Sequence, residues 1–280
     1  MSKMFNYLSS AAVTLFAILL LCALLFPLFW ILSSSIRPYS TLFTTELRLI
    51  PKDATLEAYH WVLFESKFFL YAKNSMVVYG AALFSSLIVT IPAAYGFSRF
   101  NFLGRDILLN SYFVLAQIMS GMSIIGLLGL YLFLVKIGLV NSRIIVGLIY
   151  GASTVPYVTW YLKTYFDSIP LEYDEAAFLD GASFLQNILH VIVPIAKPGI
   201  FVAIIFISIF TWSEWVIAGI LLGSGHFTLP VALTTLQGRW ETPWNRFAAM
   251  SILYSIPLVI LFMLSRRHIE KGMSASGLKG

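Results

Sequence analysis

An uncharged apolar run near the N-terminus sets the kind of structure this chain can form. Residues 11–32 hold no charged side chain, and as a helix they would reach about 33 Å, enough to cross about 30 Å of hydrocarbon. In lipid, every backbone polar group must be bonded within the segment, so the run must be helical. It is longer than the apolar region of a signal peptide, and no cleavage site with small residues follows it. We therefore expect a retained membrane helix.

The rest of the chain is similarly apolar. Hydrophobic residues make up 59% of the 280 and charged residues only 11%, whereas soluble domains are about 25% charged. The pattern predicts an all-α integral membrane protein in a lipid bilayer with six transmembrane helices, the other five at about 69–97, 107–135, 144–162, 199–222 and 247–264. The net charge of +5 gives no reason to expect a nucleic-acid partner. The single cysteine, Cys22, excludes a cysteine metal cluster, and no metal site is expected.

The predicted helices divide the chain into three parts. Residues 1–68 would hold the first transmembrane helix, at about 11–32, and a loop outside the bilayer. Residues 69–266 would form a core with the other five helices and a polar segment at 172–194, and residues 267–280 would be a tail. Six spans place both termini on one side. Lysines and arginines divide equally between the two faces, so the positive-inside rule leaves the orientation open.

The polar segment has the pattern of two short helices joined by a turn. Glu172, Asp174 and Glu175 crowd its start, where carboxylates complement the positive end of a helix dipole. Gly181 follows Asp180 and is the residue type that permits a left-handed turn. A helix lying on lipid is typically rich in Lys and Arg on its polar face, and this one is acidic. The pattern therefore favours a helix pair gripped by another protein.

The segment resembles the EAA signature of the membrane subunits of bacterial ABC importers in Glu175-Ala176-Ala177, in Asp180-Gly181-Ala182, and in Ile188, Pro194 and Pro198. In that family the motif forms coupling helices that dock into a cleft of the cytoplasmic ATPase. The resemblance therefore implies that the segment and both termini are cytoplasmic and that the loop of residues 1–68 is extracytoplasmic. The implied ATPase-coupling residues are Glu172, Glu175, Ala176, Ala177, Asp180, Gly181, Ala182 and Pro194.

The likeness extends to other stretches found in carbohydrate-importing permeases of the maltose type. Residues 92–100 resemble the end of their second span, residues 211–215 a tryptophan-containing stretch in which Ser213 replaces the usual Asn, and residues 271–280 their C-terminal ending. The resemblance implies the type I ABC importer fold in a bacterial inner membrane. It also implies a second, homologous permease as heterodimer partner, a dimer of ATP-binding subunits and an extracytoplasmic solute-binding protein.

The expected function is that of a non-enzymatic permease. No GxxxxGK[ST] motif occurs, so we expect ATP and Mg²⁺ on the partner ATPase and no cofactor on this chain. The chain would form half of the pathway for a sugar or oligosaccharide. Two alternatives are an importer of the same family for another solute, such as glycerol phosphate, and a secondary transporter. The first would need buried cations in the spans. The second would need ion-coupling residues and inverted repeats, which the sequence does not display.

Candidate residues of the solute path lie inside the predicted spans. Glu214 is the one acid in the interior of a predicted span, and intramembrane acids are commonly functional. It would contact the solute or gate the path, or else form a hydrogen bond that locks two helices together. Trp212, Trp215 and Tyr157 could stack on sugar faces. The two tryptophans could instead lie in an interfacial aromatic belt. Gln117 is a further polar candidate.

Overall fold

All regular structure in the described part of the chain is helical. The computed structural model describes residues 2–42, 49–120, 124–238 and 241–275, except for the side chains at 2–12, 113, 115–120, 124 and 267–275. The helices are α1 Ser2–Ser35, α2 Glu57–His60, α3 Phe68–Arg99, α4 Arg105–Ser120, α5 Ile124–Lys136, α6 Arg143–Asp167, α7 Glu172–Leu179, α8 Phe184–Asn187, α9 Val193–Ile195, α10 Lys197–Ser213, α11 Val216–Leu221, α12 Leu229–Thr235 and α13 Trp244–Ala275.

Four described helices are long and apolar enough to cross a membrane. They are Val13–Ser35, Phe68–Arg99, Arg143–Asp167 and Trp244–Arg266. A bent pair, Phe184–Ile195 and Lys197–Ser213, raises the number to five if it counts as one span. The predicted third span, 107–135, includes residues 121–123, which lie outside the described ranges. The number of six spans therefore stays a prediction.

The chain divides into two compact units. One consists of residues 1–68 and 233–255, the other of residues 69–232 and 256–280. In the first unit, the loop after α1 contacts the start of α13. The Arg246 guanidinium lies over the Trp61 ring, 4.4 Å from its centre, and Asn245 Nδ2 donates to the carbonyl oxygen of Arg37 over 3.4 Å.

In the second unit, α3 and α6 approach each other through small residues. A Cβ atom on Gly147 would lie 2.6 Å from the carbonyl oxygen of Val78, and one on Gly151 would lie 2.8 Å from that of Ala82. One turn further on, Thr154 Oγ1 donates to Ser86 Oγ over 2.8 Å. Small residues let membrane helices come this close, where van der Waals contact and interhelical hydrogen bonds replace the hydrophobic effect.

The other end of the second unit has a core that includes the polar segment. Ile188 and Ile192, just after α8, are buried in the same cluster as Tyr95 of α3, Leu162 of α6 and Ile207 of α10. The apolar face of the second short helix is thus packed against three long helices. This packing fixes where the polar side chains of the segment lie.

Candidate functional site

The turn between α7 and α8 has the left-handed glycine that the sequence predicts. Gly181 has φ +83°. Its N–H donates to the carbonyl oxygen of Phe178 over 3.0 Å, and the N–H of Ala182 donates to that of Ala177 over 3.0 Å. This pair of bonds is the Schellman arrangement that closes a helix C-terminus. The helix–turn–helix shape expected from the sequence is therefore present.

Helix α8 begins with a capping box. Gln186 N–H donates to Ser183 Oγ over 3.4 Å, and Ser183 N–H donates to Gln186 Oε1 over 2.8 Å, so each residue satisfies a backbone donor of the other. The helical path continues to Ile195 and then bends by 85° into α10. The bend lies at Ala196, two residues after Pro194. Pro198 falls in the first turn of α10, where its missing N–H removes no helical bond.

Most of the predicted coupling residues are exposed. Glu172, Glu175, Ala176, Asp180, Gly181 and Pro194 are exposed, Ala182 is half-buried and Ala177 is buried. Large apolar side chains of the same segment are exposed as well, Leu179 to 89% and Leu185 to 62%. A Cβ atom on Gly181 would meet nothing within 4 Å. The segment thus combines acids, large apolar side chains and a bare turn.

Asp174 points the other way, into a buried polar cluster. Its Oδ1 accepts from Tyr95 Oη over 2.6 Å and from Asn187 Nδ2 over 2.6 Å. Its Oδ2 lies 2.9 Å from Arg99 Nε, an ion pair whose two side chains are each 7% exposed. Asn187 Nδ2 also donates to Tyr95 Oη over 2.9 Å. We call Asp174, Arg99, Tyr95 and Asn187 the Asp174 cluster.

The sequence contained a weak signal for this cluster. Tyr95 and Arg99 are four residues apart and so share one face of α3, while Asp174 and Ala177 are three apart and share a face of α7. Ala177 is buried, which gives Asp174 an inward direction that Glu172 and Glu175 lack. From sequence alone, Asp174 can be interpreted only as a partner of the helix dipole, because no local pattern identifies its distant partners.

Glu214 lies at a break in the predicted fifth span. Helix α10 ends at Ser213, Glu214 is extended with φ −72° and ψ 128°, and α11 begins at Val216. Glu214 Oε1 accepts from the N–H groups of Val216 and Ile217 over 2.9 and 3.2 Å, which satisfies backbone donors at the start of α11. The carboxylate therefore caps the second half of the interrupted helix.

The same carboxylate reaches α6. Glu214 Oε2 accepts a hydrogen bond from Tyr150 Oη, and Tyr150 Oη accepts from Ala218 N–H over 3.2 Å. Both carboxylate oxygens have partners within the chain, and this geometry matches the alternative of a bond that locks two helices. A role for Glu214 in the solute path stays a prediction.

The remaining path candidates are not gathered in one place by these contacts. Trp212 is 3% exposed and packs edge-on against Tyr79, with ring centres 6.0 Å apart. Trp215 and Tyr157 are 49% and 43% exposed, so their rings are accessible to a ligand. The side chain of Gln117 lies outside the described residues. No group of His, Cys, Asp and Glu residues within the described ranges could hold a metal ion.

Comparison with known proteins identifies close relatives along almost the whole chain. It is 34% identical over 270 residues to the trehalose/maltose transport system permease protein MalG of Thermococcus litoralis, covering 94% of this chain and 95% of that protein. It is 32% identical over 267 residues to the inner membrane ABC transporter permease protein YcjP of Escherichia coli, covering 94% of each. The galactooligosaccharides transport system permease protein GanQ of Bacillus subtilis is 31% identical over 264 residues, covering 92% of this chain and 91% of that protein.

Solved structures show the same fold. A chain of a bacterial ABC transporter involved in the import of alginate matches with a TM-score of 0.75 and 24% identity over 95% of this chain and 96% of that chain. The all-α membrane permease fold is therefore confirmed. Residues 87–275 match the family of binding-protein-dependent transport system inner membrane components. With its fold and its relatives in agreement, the chain belongs to that family and is a membrane permease rather than an enzyme.

Proposed function

We propose that the chain forms half of the translocation pathway for a sugar or oligosaccharide and couples that pathway to a separate ATPase. Its partners would be a second, homologous permease, two cytoplasmic ATP-binding subunits that hold ATP and Mg²⁺, and an extracytoplasmic solute-binding protein. Relatives named for trehalose, maltose and galactooligosaccharides support the substrate class. A related alginate importer solved with a sugar-bound periplasmic protein, at a TM-score of 0.60, supports the last partner.

The observation that carries the proposal is the exposed helix–turn–helix at residues 172–187. The carboxylates of Glu172, Glu175 and Asp180 are exposed, as are the side chains of Phe178, Leu179 and Leu185. Large exposed apolar side chains next to charged ones are typical of an interaction surface rather than of a solvated loop. We infer that this surface docks on the ATPase, and docking there would put the segment and both termini in the cytoplasm. ATP-driven closure of the ATPase dimer would then move the segment and switch the cavity between outward and inward opening.

A neutral sugar is preferred over a phosphorylated solute. A phosphate would need cations facing the path. In the second unit, Arg99 is paired with Asp174, and Arg143 donates to Asn74 Oδ1 over 2.6 Å. Both arginines already serve contacts between segments of the chain.

Co-expression with a candidate partner permease and a candidate ATPase from the same organism tests the proposal. We expect the ATPase to co-purify and ATP to drive uptake of a maltodextrin or related sugar into proteoliposomes when the binding protein is present. The affinity of that binding protein identifies the solute. Uptake by the chain without an ATPase, driven by an ion gradient, would instead establish a secondary transporter.

A further inference from the structure

Helix α3 has no direct chain connection to the proposed coupling segment. Residues 168–171 join α6 to α7, and α10 follows the segment after the bend at Ala196. Movement of the segment therefore reaches α6 and α10 along the backbone. Between α3 and the segment lie α4, α5 and α6, so movement of the segment reaches α3 through side-chain contacts, and those at its Arg99 end are made to the segment itself.

The Asp174 cluster supplies such contacts, and it involves both halves of the segment. Asp174 belongs to α7, Asn187 to α8, and Tyr95 and Arg99 to α3. Arg99 Nη2 also donates to the carbonyl oxygen of Ile169, in the connection before α7, over 2.9 Å. Phe184 of α8 packs edge-on against Tyr95, with ring centres 5.2 Å apart. The turn of α3 from Tyr95 to Arg99 thus contacts the connection before α7, α7 itself and α8.

Burial makes this connection stiff. Tyr95 and Asn187 are 1% and 0% exposed and Asp174 is 5% exposed. Pulling α3 away from the segment would leave a carboxylate and a guanidinium buried without partners, which is strongly unfavourable. A cluster of this kind tends to move as a unit rather than open. The middle of α3 meets α6 differently, through small side chains and the Thr154–Ser86 hydrogen bond.

We propose that the Asp174 cluster transmits movement of the ATPase-coupling segment to α3. It would do so by holding the Arg99 end of α3 against the segment, so that the two move together. This inference rests on the proposed function for the origin of the movement. The cluster residues are positioning residues: they act through α3 and are buried away from the exposed docking surface. Glu172 and Glu175 would contact the ATPase, and Asp174 would transmit the resulting movement of the segment to α3.

The first test measures how transport is coupled to ATP in the assembled importer, reconstituted with its binding protein. Tyr95→Phe removes one oxygen, and with it two hydrogen bonds of the cluster, while keeping the ring. We expect ATP hydrolysis to stay within about twofold while sugar uptake falls about tenfold, the loss of a typical coupling free energy. Thr154→Val is the matched control, because it removes a buried α3–α6 hydrogen bond outside the cluster, and it should leave the ratio of sugar to ATP unchanged. An equal fall of uptake and hydrolysis in Tyr95→Phe, or no fall, would overturn the proposal.

The second test measures rigidity without ATP or sugar. In a Cys22→Ser background, spin labels at Leu179→Cys and Leu70→Cys report the distance from the coupling segment to the far end of α3, a helix about 48 Å long. The pair Leu179→Cys and Ile144→Cys reports the distance from the coupling segment to the far end of α6. All three positions are exposed. Tyr95→Phe should broaden the first distance distribution and leave the second narrow.

The two tests separate the two proposals. An unchanged Leu70–Leu179 distribution in Tyr95→Phe would show that the cluster does not hold α3, whatever drives transport. If the wild-type complex shows no ATP-driven uptake, the proposed function fails, while the spin-label distances still decide whether the cluster joins α3 to the segment.

Discussion

At Gly181 the backbone adopts φ +83°, a conformation that costs a residue with a side chain about 1–2 kcal/mol. Apart from Gly181 itself and its two chain neighbours, no described residue has an atom within 4 Å of where the Cβ would be. The absence of a side chain is therefore not required by packing within the chain. Two reasons for glycine at this position remain: the left-handed turn, and the surface without a side chain that a docking partner would need.

We expect Gly181→Asp to abolish transport, because it strains the turn and adds a charged side chain to the proposed docking surface. Gly138→Asp is the matched control: Gly138 has φ +72° and also has nothing within 4 Å of its Cβ position, but it lies between α5 and α6. It should incur a similar backbone cost and keep most of the uptake. Uptake in membrane vesicles measures both, and near-normal uptake by Gly181→Asp would contradict the coupling assignment.

At the scale of elements, side-chain hydrogen bonds stabilise the break between α10 and α11, where the helical backbone hydrogen bonding is interrupted. Glu214 caps α11 and bonds to Tyr150 of α6. A capping carboxylate within a predicted span keeps the interrupted helix from exposing unpaired N–H groups to lipid. The cap therefore explains how an acid is tolerated at this depth in an apolar chain.

Glu214→Ala should lower the stability of the purified permease, and Glu214→Gln should largely preserve it. Loss of a cap costs about 1 kcal/mol, which for a chain of this size lowers the melting temperature by about 2–4 °C. Glutamine keeps an oxygen for the N–H groups of Val216 and Ile217 and offers an amide to Tyr150. Thermal unfolding in detergent measures the difference. If both variants melt like the wild type but lose uptake equally, Glu214 acts on the solute instead.

At the scale of the whole molecule, the orientation in the membrane would follow from docking of the proposed coupling segment on a cytoplasmic ATPase. Residue 179 would lie in the cytoplasm, and residue 224, in the connection between α11 and α12, would lie outside. Both positions are exposed, so a reagent that reaches their side of the membrane can react with a cysteine placed there.

Labelling single cysteines with a membrane-impermeant maleimide tests this orientation in the Cys22→Ser background. We expect Ser224→Cys to react in intact spheroplasts and Leu179→Cys to react only after permeabilisation. The two positions serve as controls for each other. The reverse pattern would place the termini and the coupling segment outside and would exclude docking on a cytoplasmic ATPase.

Much of the fold was predictable because its signals are local. Apolar runs predict membrane helices, since lipid leaves a backbone no other way to bond its polar groups. The left-handed turn at Gly181 and the acids around it are likewise read from neighbouring residues. These local patterns predicted an all-α membrane protein with a helix–turn–helix segment, whereas the permease function was implied by the resemblance to the EAA signature.

Only the tertiary structure decided what the polar side chains bind. Asp174 and Glu175 are adjacent acids, yet Asp174 is buried and Glu175 exposed, and the Tyr95 partner of Asp174 is 79 residues away. Glu214 likewise bonds a tyrosine 64 residues away. The sequence by itself determined which segments are apolar and where the chain turns, because those depend on near neighbours. Partners of buried polar groups depend on how distant helices pack, and no local pattern specifies that packing.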